Sequence, residues 1–324
     1  MQGSTHIAGL ANNIILDGAS AYKWEVLNET VFLTKFFECL RESMGAEFFS
    51  YTFYILSSHD PEILPQSAAD ASRRKILFFI SDESSSVPVA LQSHYLAIFK
   101  SYLPHELPGS NIFPFNIGYV RDVPEIMPKP IQSRANNVFF SGNMNNNRFP
   151  LYRELHPILK RLPYRIAKAL FYGMQRGRRH LSKETDFGAS FPKSYIRFTD
   201  GFKHGLSPES YGRMLYDSKI VLCPRGFSSS ETFRHMEALR AGAIVISERL
   251  PDTHFYRGSP IVSVRDWRAG LEMARQIIAD PKLLEGLHLE TTKWWHRICS
   301  EAATATYIKN QLHQLERVRL PDDS

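Results

Sequence analysis

Residues 218–247 read SKIVLCPRGFSSSETFRHMEALRAGAIVIS. KIVLC (219–223) has the length and apolar content of a buried strand. Pro224 and Gly226 end it. Ser228, Ser229 and Ser230 then offer an N-cap, and the spacing predicts a helix to about Arg240. Gly242 stops that helix, and AIVIS (243–247) reads as the next strand. This order places the Gly/Ser loop at the carboxyl end of a strand, where open α/β sheets bind ligands. A helix start also offers unpaired N–H groups and a partial positive charge, both suited to phosphate. Arg225 in the same loop adds a charge-assisted donor.

The helix itself carries charge in an awkward place. Phe233, Met236 and Leu239 follow an i, i+3 spacing and are expected to face the core. Glu237 lies four residues after Phe233 and borders that face. A carboxylate there is costly unless paired or hydrogen-bonded. An intrahelical pair with Arg234 is the plain structural alternative to a ligand contact.

The stretch resembles the C-terminal signature of exostosin-like glycosyltransferases. The residues that carry the resemblance are Ser218-Lys219, Pro224, Gly226, Arg234, Glu237-Ala238 and Gly242. It departs from the family pattern at Thr232, Ala243 and Val245. The resemblance implies a GT-B fold, two Rossmann-like α/β domains facing a cleft, with the nucleotide-sugar donor on this loop and helix. It implies that Glu237 accepts from ribose hydroxyls and that Arg234 lies near the diphosphate or the sugar. The donor set on this reading is Arg225, Gly226, Ser229, Ser230, Glu231, Thr232, Arg234 and Glu237. NVFFSGNMNNNR (137–148) looks like the first strand and turn of the same domain, which adds Gly142, Asn143 and Arg148. A plain β-to-α turn is the alternative there, since Gly and Asn are its usual residues.

The rest of the chain alternates extended and helical patterns, which implies an α/β layer fold. VFLTKFFECLRESMG (31–45) reads as an amphipathic helix, and FFSYTFYIL (48–56) and KILFFIS (75–81) as strands. Pro88 is expected to open a helix through PVALQSHYLAIFKSYL. NIFPFNIGYV (111–120) reads as a short extended element. RDVPEIMPKPIQSRANN (121–137) holds three prolines without periodicity and reads as a linker. A helix is expected around SPESYGRMLYDS (207–218) and a helical tail over 285–317. The expected domains are therefore 1–135 on the acceptor side, 136–290 for the donor, and a helical tail at 291–324.

Inverting glycosyl transfer needs a base for the acceptor hydroxyl. Asp82 and Glu83 follow the strand KILFFIS directly and are the candidate catalytic residues. The residues alone do not separate the two, and a capped turn explains them equally. His94 lies farther on and reads as a packed or solvated histidine. No Asp-x-Asp dyad or HExxH is present, so the expectation is metal-free chemistry with no cofactor beyond the donor, the leaving group being met by helix N–H groups and basic side chains.

Between Glu154 and Glu184 there is no acidic residue, but there are eight basic ones: Lys160, Arg161, Arg165, Lys168, Arg176, Arg178, Arg179 and Lys183. Aromatic and apolar residues interleave with them. Such a segment (160–183) suits an anionic membrane surface, an acidic polymer or nucleic acid, with a solvated helix face as the plain alternative. Nucleic acid is disfavoured because no recognised binding module is present.

The chain has 324 residues, 43% hydrophobic and 22% charged, with a formal net charge of +6. This is ordinary two-domain composition with a preference for anionic partners. Cys39, Cys223 and Cys299 are few and widely spaced, which points to reduced thiols rather than a disulfide framework or zinc site. The opening residues lack a signal-peptide pattern. The expected location is cytoplasmic or peripheral to a membrane. Partners expected are a nucleotide sugar and a glycan or lipid-linked glycan acceptor. A non-catalytic binding protein for acidic glycan or nucleic acid, and a GT-B-fold nucleotide-sugar epimerase, are the competing readings.

Overall fold

The computed structural model describes residues 5–177, 185–201 and 204–319, the side chains of 174–177 and 319 excepted. The chain divides into two compact units. The first takes residues 1–121, 251–257 and 296–324, and the second 122–250 and 258–295. Each is built on one six-stranded sheet, so both Rossmann-like sheets that the GT-B expectation requires are present.

In the first unit the strands are β1 (Thr5–His6), β2 (Ile14–Leu16), β3 (Thr52–Ser57), β4 (Lys75–Ile80), β5 (Ala97–Lys100) and β6 (Ile112–Pro114). They lie in sequence order, β1–β2 antiparallel and the others parallel. Helix α1 (Thr30–Met44) crosses from β2 to β3 and ends at Gly45, whose φ of 59° suits glycine. α1 is amphipathic as expected: Phe32, Leu33, Phe36, Phe37 and Leu40 are all buried. Phe36 and Phe37 pack edge-on against Phe78 of β4 at 5.5 and 5.3 Å between centroids.

Three expectations change. Residues 45–50 form a 3-10 turn, so β3 starts only at Thr52. The helix expected from Pro88 is a 3-10 turn at Val89–His94 followed by strand β5. AIFK is fully buried and paired on both sides, by β4 and β6. A short apolar run does not reveal its own period, and sheet pairing decides it.

The proline-rich stretch is the third. The unit boundary falls at 121/122 rather than 135/136, because residues 122–135 are fastened to the second unit. Buried Arg134 donates to the carbonyls of Ser218 at 2.9 Å and Ala241 at 2.7 Å. Lys129 pairs with Asp217, and Glu125 with Arg240.

The second unit contains β7 (Asn136–Asn143), α2 (Phe149–Leu155), α3 (Tyr164–Gly177), β8 (Thr185–Asp186), β9 (Tyr195–Thr199), α4 (Pro208–Tyr216), β10 (Ser218–Cys223), α5 (Phe233–Arg240), β11 (Ile244–Glu248), β12 (Val262–Val264), α6 (Trp267–Ala279) and α7 (Pro281–Trp294). Strand order is β12-β11-β10-β7-β9-β8, with only β8–β9 antiparallel. From β7 the chain steps to β9 on one side and later returns to β10 on the other. The order therefore reverses between β7 and β10, and a crevice opens at the carboxyl ends of those two strands.

The expected helical tail exists but is not one piece. α7 belongs to the second unit. After a π-helical turn at Trp295–Cys299, α8 (Glu301–Arg319) belongs to the first and packs along α1. Asn116 donates to the Cys299 carbonyl at 2.7 Å and so anchors that turn. No helix of the described residues is long and apolar enough to cross a membrane. The three cysteines are free thiols, Cys223 and Cys299 buried.

Candidate active site

The reversal point of the second sheet gathers two arginines. Arg148 follows β7 through the turn at Asn145, whose side chain accepts from the Arg148 N–H at 3.0 Å. Its guanidinium turns back to the Asn143 carbonyl and side-chain oxygen, both at 2.6 Å. Arg234 enters from the first turn of α5 and donates to the Ser141 carbonyl at 2.6 Å. Both guanidinium groups lie over the Phe140 ring, Arg234 at 4.9 Å and Arg148 at 5.8 Å. They meet at Gly142. A methyl placed there would lie 2.8 Å from Arg234 Nη2 and 3.0 Å from Arg148 Nη1.

These are buried charges, with Arg148 6% and Arg234 9% exposed. Among the described residues, Arg234 Nε and Nη1 are buried and have no hydrogen-bond acceptor. Burial opposes the Arg234 charge, but coulombic contributions from its neighbours, Glu237 among them, outweigh it and hold the pKa above the ordinary arginine value. A cation kept charged in a dry site with donors unspent is an arrangement suited to an anion.

Glu237 lies one turn further along α5, 4% exposed. Its Oε2 accepts from Tyr211 of α4 at 2.8 Å. Burial above all, then the Glu237 charge, raises the Tyr211 pKa well above its usual value, so the phenol keeps its proton and remains a donor. α5 is thus not amphipathic: Arg234, His235, Met236, Glu237, Ala238 and Leu239 are buried in succession, while Phe233 is half-buried.

The helix cap differs from expectation. The N-cap is Thr232, not the serine cluster. His235 replaces the usual acidic partner of a capping box: its Nδ1 accepts the Thr232 N–H at 3.1 Å. Its Nε2 lies 2.8 Å from Ser247 Oγ, which donates to the Cys223 carbonyl at 3.1 Å. Burial pulls the His235 pKa down to about 4, so the imidazole is neutral and ties α5 to β10 and β11. The Cys223 thiol, pushed up to about 12 by burial, stays protonated.

The serines serve the loop instead. Ser229 Oγ accepts from the Glu231 N–H at 3.1 Å, and its carbonyl accepts from Gly226 at 2.9 Å. Asn147 clamps this loop to the β7 turn by donating to the carbonyls of Gly226 at 2.9 Å and Phe227 at 2.7 Å. Glu231 is buried within the loop, and Ser230 is half-buried. Arg225 stands apart from the arginine pair. It is exposed, its N–H is held by Glu248 at 2.9 Å, and its guanidinium reaches the Ser228 carbonyl at 3.3 Å.

The structure thus brings together Gly142, Asn143, Arg148, Arg234 and Glu237, and places Gly226, Ser229, Glu231 and Thr232 in the adjoining loop. It adds Phe140, Asn147 and Tyr211, which sequence reading did not single out. An aromatic at a strand end and a tyrosine on the preceding helix carry no local signal of these contacts.

In the first unit, Asp82 and Glu83 follow β4 as expected, but they differ. Asp82 is fully buried against Lys100, 3.1 Å from Oδ2 to Nζ. Burial alone would raise its pKa. Hydrogen bonds from Ser84 and Ser86 and the Lys100 charge outweigh that and lower it. Asp82 is therefore a weak base committed to an ion pair. Glu83 is half-buried. Burial above all, with a smaller contribution from the Glu83 charge, pushes Glu29 at the α1 N-cap up to about 7. A carboxyl that titrates near neutrality is suited to proton transfer, and nothing in the Asn-Glu-Thr sequence marks it.

No family model matches the sequence, and no curated protein matches it. Solved structures do. An α-glucosyltransferase in complex with UDP-glucose and DNA containing an abasic site is similar at 13% identity, covering 93% of this chain and 80% of that one (TM-score 0.47). A mutant of S. aureus TarM in complex with fondaparinux, α-GlcNAc-glycerol and UDP is similar at 9% identity, covering 86% of this chain and 58% of that one (TM-score 0.46). AviGT4, a glycosyltransferase involved in avilamycin A biosynthesis, is similar at 12% identity, covering 89% and 90% (TM-score 0.42).

Proposed function

We propose that this chain is a glycosyltransferase that moves a sugar from a nucleoside-diphosphate donor to a glycan hydroxyl, with inversion and without a metal. The observation that carries the reading is the buried Arg148–Arg234 pair at Gly142, with two Arg234 nitrogens lacking an acceptor. In this reading the diphosphate lies on that pair and Glu237, steadied by Tyr211, accepts the ribose hydroxyls. The resemblance of residues 218–247 to the exostosin-like signature supports the same assignment.

The reaction forms a bond from the acceptor oxygen to the anomeric carbon and breaks the bond to the diphosphate. The hydroxyl proton goes to a carboxylate, and Glu83 is the residue assigned. The negative charge that develops on the leaving diphosphate meets two fixed guanidinium groups in a water-poor setting, which is electrostatic stabilisation of the preorganised kind. Arg225 is exposed and reaches the outer end of the donor at most.

A panel of nucleoside diphosphates and nucleotide sugars, read by melting shift and then by donor turnover with glycan acceptors, tests the proposal. A shift that is lost in Arg234→Ala and Glu237→Ala is expected. No shift with any nucleotide sinks the donor assignment in favour of a binding protein. Conversion of the donor, without an acceptor, to an isomeric nucleotide sugar with its diphosphate bond intact replaces transfer by epimerisation.

A further inference from the structure

α3 carries apolar residues on two adjacent faces, about 100° apart around the helix. Ala167 and Phe171 are buried, Phe171 packing on Phe149 and Tyr152 at 5.1 and 4.9 Å between centroids. The other face presents Ile166 and Leu170 to solvent, 51% and 49% exposed, with Ala169 beside them. Ile158, in the turn before α3, is 64% exposed. Single exposed aliphatics are ordinary. A run of them on one helix face, flanked by exposed Lys160, Arg161 and Arg165 with no acid between residues 155 and 183, is not. Arg176, Arg178, Arg179 and Lys183 of the same segment lie outside the described side chains.

At the turn that precedes α3, a recess of about 410 Å³ is lined by Arg153, Glu154, Lys160, Arg268, Leu271 and Arg275. A second recess shares Arg153, Glu154 and Arg268 with it and reaches Tyr164, Trp267 and Asp266. The cations differ in their commitments. Arg153 pairs with Glu154 and donates to the Leu162 carbonyl at 2.8 Å. Arg275 pairs with Glu272 at 3.2 Å and stacks on Phe191. Among the described residues, Lys160 and Arg268 take no carboxylate partner.

We propose that this face of the second unit docks on an anionic lipid bilayer. α3 lies in the membrane plane with Ile166 and Leu170 at the acyl boundary, and Lys160 and Arg268 hold lipid phosphates at the recess. Apolar insertion and a basic rim act together in such attachment, and neither suffices alone. The apolar side chains favour this occupant over nucleic acid, which would meet the cations but leave Ile166 and Leu170 in water. The inference is independent of the nucleotide site.

Co-sedimentation of the full chain with phosphatidylglycerol vesicles, against phosphatidylcholine vesicles, tests it. Binding to phosphatidylglycerol alone, weakened by salt, is expected. Ile166→Ser/Leu170→Ser should lower the affinity about tenfold or more. Lys160→Gln and Arg268→Gln should each lower it about fivefold, the equivalent of about 1 kcal/mol per basic residue. Far-UV circular dichroism and the melting temperature of these variants, measured without nucleotide, report their folding and should match the parent. Overturning results are no binding to phosphatidylglycerol at low salt, equal binding to both lipids, or full binding by the folded Ile166→Ser/Leu170→Ser variant. Competition of vesicle binding by an oligonucleotide at lower concentration than by lipid would likewise replace the membrane with a nucleic acid.

Discussion

Tyr211 Oη donates to Glu237 Oε2 across 2.8 Å, from one helix to the next. This bond joins the α4 phenol to a carboxylate that is 4% exposed. A hydrogen bond to a charged buried group contributes about 1.5–3 kcal/mol, and its loss leaves the acceptor short of a partner. Tyr211→Phe should therefore unfold at lower denaturant, by about 2 kcal/mol, and lose part of its nucleotide melting shift. Glu237→Gln keeps the volume and should lose the shift; it also removes a carboxylate that helps hold Arg234 charged, so a loss of stability at the denaturant midpoint is expected beside it. An unchanged midpoint in Tyr211→Phe would remove the phenol as the anchor of Glu237.

Gly142 makes a sharper test of the arginine pair. An added methyl would meet the tips of Arg234 and Arg148 at 2.8 and 3.0 Å. Each tip is buried and hydrogen-bonded, Arg234 to the Ser141 carbonyl and Arg148 to Asn143, so moving them breaks charge-assisted bonds, and Gly142→Ala should cost about 1.5–3 kcal/mol of stability yet leave the protein folded. It should nonetheless displace both guanidinium groups and lower nucleoside-diphosphate affinity about tenfold or more, as one lost charge-assisted hydrogen bond would. Calorimetric titration beside chemical denaturation separates the effects. Stability lost with affinity retained would place the ligand elsewhere.

The Asp82–Lys100 pair is a folding element of the first unit. Both side chains are fully buried, and breaking such a pair from one side costs about 3–5 kcal/mol. Asp82→Asn should show that loss at neutral pH. The folded pKa of Asp82 is lowered, so its contribution is complete above the ordinary aspartate range and is lost as pH falls below it. The acid limb of the stability profile should therefore flatten in Asp82→Asn. A variant of parental stability at pH 7 would contradict the pairing. Glu83→Gln should instead fold normally and lose turnover by about 10²–10⁴-fold, the usual contribution of a general base.

The same pair shows where sequence reading fell short. Reading residues 97–100 as helix hid Lys100, because only a parallel β5 in register with β4, Phe79 opposite Lys100, carries that amine to the β4 end. Asp82 then looked as available as Glu83. The 218–247 stretch was legible because its signals are local: an apolar run, a Pro/Gly break and a helix stop at Gly242. Arg148, Arg234 and Glu237 could be named from it and from residues 137–148. Their partners could not, since Ser141 to Arg234 spans 93 residues and Tyr211 to Glu237 spans 26. Thr232 escaped as the cap because three serines upstream offer the same chemistry, and only the 3.1 Å contact to His235 selects it. The linker at 121–137 misled for a related reason. Prolines remove periodicity, but Arg134 supplies the long-range bonds that make the segment part of the second unit.

Two buried groups titrate in opposite senses and should shape the pH profile near neutrality. Glu29 has a folded pKa raised from 4.5 to about 7 by burial, with Glu83 adding to it. The native state keeps this proton longer than the unfolded chain. Its stability contribution is complete below pH 4.5 and is lost as pH rises through about 7, roughly 3 kcal/mol in all. His235 has a folded pKa lowered from 6.5 to about 4. Here the unfolded chain takes the proton first, so stability is complete above pH 6.5 and is lost as pH falls toward 4, again by roughly 3 kcal/mol. Between 4.5 and 6.5 the two slopes oppose one another, and the parent should show a shallow maximum. Glu29→Gln removes the alkaline loss, so its stability relative to the parent should be about 3 kcal/mol higher at pH 8 than at pH 4.5. Urea denaturation of both proteins across that range measures it. A difference that does not change with pH would mean that Glu29 ionises as freely in the folded protein as in the unfolded chain.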